Sequence, residues 1–154
     1  MKMSIITLKP VALASDHAGF PLKEEIKKHL ENKGVVYTDC GTYDLQSVDY
    51  PVFADKLCKE IAGGKSELGI LVCGTGIGMS MAANKHAGIR AAAVSDYFSA
   101  RFTRMHNDAN VLCLGARVVG AGLAADLVDV FLETSYEGGR HQRRVDMINE
   151  LDKK

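Results

Sequence analysis

Short apolar runs of four to six residues alternate with amphipathic stretches of ten to sixteen along most of the chain. That alternation predicts βα units built around a parallel sheet. Five runs carry the strand pattern: Val11 to Ser15, Val35 to Asp39, Leu68 to Cys73, Arg90 to Val94 and Val111 to Leu114. Four of them are rich in Val, Ile or Leu with little alternation, as expected of strands covered on both faces.

Helical signals fill the intervals. Leu22, Ile26 and Leu30 recur every four residues and Gly34 follows as a cap, which predicts a helix over Phe20 to Lys33. Asp49 and Pro51 supply an N-cap region and a first-turn proline for a helix whose buried stripe is Phe53, Leu57 and Ile61. Asp96 precedes a helix with Phe98, Phe102 and Met105, Leu123, Leu127 and Val130 mark another, and a last one is expected from about Arg140 to Leu151. Residues 1–10 read as an N-terminal extension and residues 11–154 as one domain. The predicted architecture is α/β: a three-layer, doubly wound, Rossmann-like fold with a five-stranded parallel sheet. In such folds ligands bind beyond the carboxyl ends of the strands, so chemistry is sought in the loops that follow them.

Composition narrows the function classes. The 154 residues carry 19 Lys and Arg against 19 Asp and Glu, with 47% hydrophobic residues. A chain of this length forms one core and buries roughly 68–70% of its unfolded surface. The balance disfavours a nucleic-acid binder or an acidic disordered tail. No apolar run approaches the ~20 residues of a membrane span, and the start is too short in apolar residues for a signal peptide, so a cytoplasmic protein is expected. Cys40, Cys58, Cys73 and Cys113 form no C-x-x-C pair and are expected to be reduced thiols.

Four segments offer chemistry. In Ile70 to Lys85, ILVCGTGIGMSMAANK, a buried strand ends at Cys73, and Gly74, Gly76 and Gly78 lead directly into a helix. Such a loop aims several N–H groups outward and can bind an oxyanion. The G-x-G-x-G spacing departs from the dinucleotide fingerprint, and Gly78-Met79-Ser80 lacks the lysine of a phosphate-binding P-loop. A plain tight turn is the remaining alternative. Cys73 sits at the mouth of this loop against a helix start, a setting that favours thiolates; closing the strand as a small hydrophobe is its bland alternative, and the one expected of the other three cysteines.

Asp16 and His17 stand together after the first strand. Asp16 can simply cap the next helix, while His17 can hold a hydroxyl or phosphate. His106 and Asn107 end the fourth helix, and an imidazole there is expected near the ligand-binding edge of the sheet, although a histidine in a last turn also suits the helix dipole. In Tyr136 to Arg144, YEGGRHQRR, the basic residues Arg140, His141, Arg143 and Arg144 cluster without an acid between them. Arg140 and Arg144 are expected to share a helix face that meets a small anion, or else to form a solvated charged face.

Taken together, SDHAG at Ser15 to Gly19, DYP at Asp49 to Pro51, CGTGIG at Cys73 to Gly78, AANK at Ala82 to Lys85, HNDAN at His106 to Asn110 and GGRHQRR at Gly138 to Arg144 resemble one family. They are similar to the ribose-5-phosphate isomerases of the B type, grouped with galactose-6-phosphate isomerase subunits, over residue 11 to about 150. The resemblance implies interconversion of ribose 5-phosphate and ribulose 5-phosphate through an enediolate, with no metal or organic cofactor. It implies Cys73 as the base between C1 and C2, Thr75 assisting it, His106 opening the furanose ring and Asp16 handling the ring oxygen or a hydroxyl. Backbone N–H groups from Gly74 through Gly76 and Ile77 to Gly78 would stabilise the enediolate. Tyr50 and Asn107 would contact the sugar, and His17, Arg117, Arg140 and Arg144 the phosphate. Met79 stands where one branch of the family carries a glutamate base, which places the chain in the cysteine branch. The resemblance also implies a homodimer or homotetramer with shared active sites, the C-terminal helix packing on a partner subunit. The competing functions are isomerisation of a six-carbon substrate such as allose 6-phosphate or galactose 6-phosphate, and non-catalytic sugar-phosphate binding; a nicotinamide enzyme fits the glycine spacing least.

Overall fold

The computed structural model describes residues 9–153, so most of the predicted N-terminal extension lies outside it. Five parallel strands form the sheet: β1 (Val11–Ser15), β2 (Tyr37–Asp39), β3 (Gly69–Cys73), β4 (Ala91–Ala93) and β5 (Val111–Gly115). Six helices accompany them: α1 (Phe20–Asn32), α2 (Tyr50–Ala62), α3 (Ile77–Ala83), α4 (Tyr97–Asn107), α5 (Ala121–Glu133) and α6 (Gln142–Leu151). The strand order is β2-β1-β3-β5-β4, so the chain reverses its direction of winding between β1 and β3. Among the described residues no helix is long and apolar enough to cross a membrane.

Alternation within each strand assigns the two faces. Val11, Leu13, Ile70, Val72, Leu112 and Leu114 pack with Ile26, Leu30, Leu127 and Phe131 on the side covered by α1 and α5. The opposite face is made of smaller residues, Ala12, Ala14, Cys73 and Cys113 among them, and packs against Phe53 and Leu57 of α2 and Met79 and Ala83 of α3. Both faces are thus sealed, which is why the central strands read as unbroken apolar runs.

The edge strands are shorter than their apolar runs. Val35 is buried, but its N–H closes the end of α1 on Leu30 O at 2.9 Å, so β2 begins only at Tyr37. The N–H of Arg90 is taken by the Asn110 side chain at 2.8 Å, and β4 begins after it. The last helix also starts later than its pattern suggests. Gly138 and Gly139 hold positive φ, and Gly139–His141 forms a 3-10 turn before α6. Arg140 therefore lies outside the regular helix, and the Arg144 guanidinium instead donates to Arg140 O at 3.2 Å.

One buried charge fixes the carboxyl end of β2. Lys23, fully buried in α1, donates to Asp39 at 2.5 Å and to Thr42 O at 2.6 Å. Lys27 reaches the other Asp39 oxygen at 2.9 Å. Burial works against the ionised Asp39, yet hydrogen bonds from Lys23, the Gly41 N–H and Lys27 hold its carboxyl below the ordinary range.

Candidate active site

The carboxyl ends of β1 and β3 lie side by side, with Ser15 in register with Val72, so the next residues, Asp16 and Cys73, meet at the reversal point of the sheet. This is where doubly wound folds bind ligands. The crossing is tight: a Cβ on Gly19 would stand 2.2 Å from Val72 O, so only glycine lets the chain after β1 pass over β3. Asp16 accepts the Gly19 N–H at 2.9 Å and shapes that turn; the N-cap of α1 is Gly19 itself, so Asp16 closes the loop before the helix and does not cap it as its sequence position suggested.

Cys73 is nearly buried, and its sulfur accepts the Gly76 N–H at 3.1 Å. Gly76 has φ +79° and lies against the backbone of Cys113 and Leu114, which brings its N–H back onto the thiol. The Thr75 hydroxyl accepts the Ile77 N–H at 3.2 Å. Of the five N–H groups expected to face substrate, those of Gly76 and Ile77 are thus engaged inside the loop. Burial pushes the Cys40 and Cys58 thiols up to about 11 and Cys113 higher still, so these three remain neutral.

Two more predicted residues cover this loop, and a third follows β1. The Tyr50 ring covers Gly78, 2.8 Å from where a Cβ would be, and the Arg117 guanidinium covers Gly74, 3.2 Å from the same point. Arg117 is placed by its own N–H, which donates to Gly74 O at 3.0 Å. The His17 Nδ1 accepts the Val48 N–H at 3.2 Å. A backbone amide can only donate, so the ring proton is on Nε2, the nitrogen left to meet a ligand.

His106, Asn107, Arg140 and Arg144 are elsewhere. A helix that connects two parallel strands returns from carboxyl to amino end, so the last turn of α4 lies at the amino end of β5. Contacts agree: Asn107 O accepts from Arg90 just before β4 at 3.2 Å, and Asn110 O accepts from Gly69, the first residue of β3, at 2.9 Å. The expectation that His106 lies near the ligand-binding edge of its own sheet is corrected, because proximity to a strand in sequence was proximity to the strand's start. Five residues of strand span roughly 16 Å, so the two groups stand at opposite ends of one chain.

The amino-end group is organised by side chains. The His106 ring stacks on His141, centroids 4.1 Å apart at 14°, and meets the edge of Phe102 at 4.9 Å. The Glu137 carboxylate faces both rings, 3.8 Å from His106 Nε2 and 3.2 Å from His141 Nε2. The Glu137 N–H donates to Met105 O at 3.1 Å, which ties this segment to the end of α4. Glu137 and His141 were not among the expected site residues. Their signal was the i,i+4 spacing of an acid and an imidazole flanking the glycine pair, whereas the stacking on His106 is tertiary and left no trace in the sequence.

Comparison with known proteins gives this arrangement a context. The family model described as Ribose/Galactose Isomerase matches residues 11–148. The chain is 49% identical to ribose-5-phosphate isomerase B of Escherichia coli over 147 residues, covering 96% of this chain and 99% of that protein. The structure of ribose-5-phosphate isomerase B from Clostridium thermocellum superposes with a TM-score of 0.92 at 47% identity, covering 94% of this chain and 97% of the other. That of the Mycoplasma genitalium enzyme with bound ribulose-5-phosphate gives 0.91 at 42% identity, covering 97% and 99%. The chain belongs to the ribose/galactose isomerase family.

Proposed function

We propose that the protein interconverts ribose 5-phosphate and ribulose 5-phosphate, with Cys73 as the proton-transferring base. The observation that carries this reading is the thiol at the reversal point of the sheet, held beside Asp16 and against the glycine loop. The thiolate removes the proton from C2 of the open aldose and returns it to C1, while the C2–H electron pair passes through an enediolate, O2 gives up its proton to become the ketone oxygen and O1 gains one to become the hydroxyl. The loop N–H groups not engaged inside the loop, those of Gly74, Thr75 and Gly78, and the Thr75 hydroxyl meet the developing oxyanion; one such donor is worth ~2.7–4 kcal/mol. Tyr50 contacts the sugar, and Asp16 handles the ring oxygen or a hydroxyl.

The active site is completed by a second copy. His106 for ring opening, Asn107 for the sugar, and Arg140 and Arg144 for the phosphate come from the amino end of the partner, joining His17 and Arg117 of the first chain. Two features support this: the opposite placement of the two groups, and the apolar side chains left exposed at Phe98, Met147, Ile148 and Leu151. A homodimer or homotetramer with α6 packed on the partner follows, acting in the cytoplasm on a small phosphorylated sugar, with no nucleic acid involved.

The deciding experiment is turnover of ribose 5-phosphate and allose 6-phosphate side by side, with chelator and no added metal. The pentose is expected to be preferred, because HNDAN and GGRHQRR are the motifs that set this chain apart from galactose-type subunits. Preference for the hexose would move the substrate to six carbons, and absence of turnover on both would leave a binding protein. Cys73→Ala should abolish proton exchange at C2 while substrate still binds; undiminished turnover would remove the thiol from its role.

A further inference from the structure

We propose that Glu137 and His141 are positioning residues that hold the His106 imidazole for ring opening, an inference that rests on the ring-opening role proposed for His106. The His106 ring is confined on two sides, flat against His141 and edge-on to Phe102. Its third constraint is electrostatic. The Glu137 carboxylate faces His106 Nε2 and is anchored by its main chain to the residue preceding His106. A carboxylate there favours a proton on Nε2, so Nδ1 is the nitrogen left to exchange a proton with substrate.

His141 is the unusual member. It is buried, and its Nε2, though 3.2 Å from Glu137, is out of line for a hydrogen bond and without another partner among the described residues. Burying an imidazole nitrogen unsatisfied costs on the order of 1–3 kcal/mol, which packing alone would not retain when an aromatic hydrocarbon fills the same space. The same Glu137 oxygen, Oε2, faces both Nε2 atoms, and the side chain is nearly half exposed, so the carboxylate has room to turn. Catalytic hydrogen bonds are commonly long before substrate arrives and tighten afterwards.

Two imidazoles and a carboxylate with ligand atoms within 4.8 Å also suggest a metal site. The stacking argues against it. Rings 4.1 Å apart and 14° from parallel send their nitrogen lone pairs side by side, whereas an ion bound by both at about 2.0–2.1 Å needs them to converge. A shared carboxylate satisfies parallel rings; one ion does not.

Substrate chemistry supplies a test specific to ring opening. Ribose 5-phosphate is mostly a furanose, and opening it breaks the C1–O4 bond while O4 gains a proton and O1 loses one. Ribulose 5-phosphate has its 5-oxygen blocked by phosphate and stays open, so exchange of its C1 proton with solvent needs the base but no ring opening. Glu137→Gln and His141→Phe, the latter keeping the stack, should each lower kcat on ribose 5-phosphate by about tenfold or more. KM and the C1 exchange rate on ribulose 5-phosphate should stay within about twofold, and Glu137→Asp should recover part of the lost kcat. Equal losses on both substrates, or none in either variant, would overturn the proposal. Should His141→Phe fail to fold, the surface substitution at Glu137 decides alone. His106→Asn separates the two levels: if it loses turnover of ribose 5-phosphate only, while Glu137→Gln and His141→Phe match the wild type, the positioning role fails and the role of His106 stands. If His106→Asn keeps full turnover, the ring-opening role itself fails, and the positioning role with it.

Discussion

The two ends of the sheet are built on different principles. At the carboxyl end the chemistry sits on backbone: glycines let the chain after β1 and the loop after β3 approach to contact distance, and the main-chain N–H of Gly76 points at the Cys73 sulfur. At the amino end the same work falls to side chains, His106 stacked on His141, Glu137 between them, and Asp108 receiving Arg90 and Arg104. Backbone geometry is set once the strands pair, so the first end is complete within one chain. The second presents long, exposed groups, Arg140 and Arg144 among them, whose positions depend on what they meet.

Mixing variants breaks this comparison most directly. Cys73→Ala and His106→Asn alone should each lower turnover of ribose 5-phosphate by about 10²–10⁴-fold, the span of a positioned acid or base. If one end of each chain serves the other, mixing the two after dissociation restores one intact site in each mixed dimer. Turnover then recovers to about a quarter of the wild type for random pairing. No recovery would place both groups in one chain's site, against the roughly 16 Å of strand between them.

Next in size is the ion pair under the carboxyl end. Asp39→Asn leaves Lys23 buried without its counter-charge, which costs ~3–5 kcal/mol in comparable sites. The carboxyl is held below its ordinary range in the fold, so its contribution is fully present above the unfolded value near pH ~4 and is lost as pH falls through the lowered one. Urea titrations at pH 7 and pH 3 should show the difference between variant and wild type shrink in acid. A constant difference would mean that Asp39 acts by packing.

These contrasts also mark what the sequence could disclose. The central strands are found within a residue or so, because burial on both faces writes an unbroken apolar run. The meeting of Asp16 with Cys73 was equally legible, since residues that follow strands gather at one edge. Lys23 was not, because its burial depends on Asp39, sixteen residues later in the chain. The placement of His106 needed the direction of its helix as well as its nearness to β5, and the helix predicted from about Arg140 begins at Gln142, after the 3-10 turn that follows two positive-φ glycines.

The phosphate site should respond more modestly. Arg140→Ala removes one of several charge-assisted contacts, and KM for ribose 5-phosphate should rise about tenfold with kcat little changed. The C1 exchange on ribulose 5-phosphate should show the same rise in KM, because both substrates carry the phosphate. An unchanged KM would return the arginine cluster to a solvated face.

Asp108 offers the finest cut between backbone and side-chain support. It ends α4 in the left-handed region with φ 45°, immediately after His106 and Asn107, and its carboxylate receives Arg104 at 2.9 Å and Arg90 at 3.3 Å. Asp108→Asn removes the charge but keeps a residue that tolerates this conformation, and should cost ~1 kcal/mol or less for part-exposed pairs. Asp108→Ala loses the same pairs and must also hold a left-handed backbone, adding ~1–2 kcal/mol. Denaturant titration of the two variants thus separates the contributions: a larger loss for alanine assigns the turn to backbone preference, as at Gly76 across the sheet. Equal losses would assign it to the arginines, and the amino end would then rest on side chains alone.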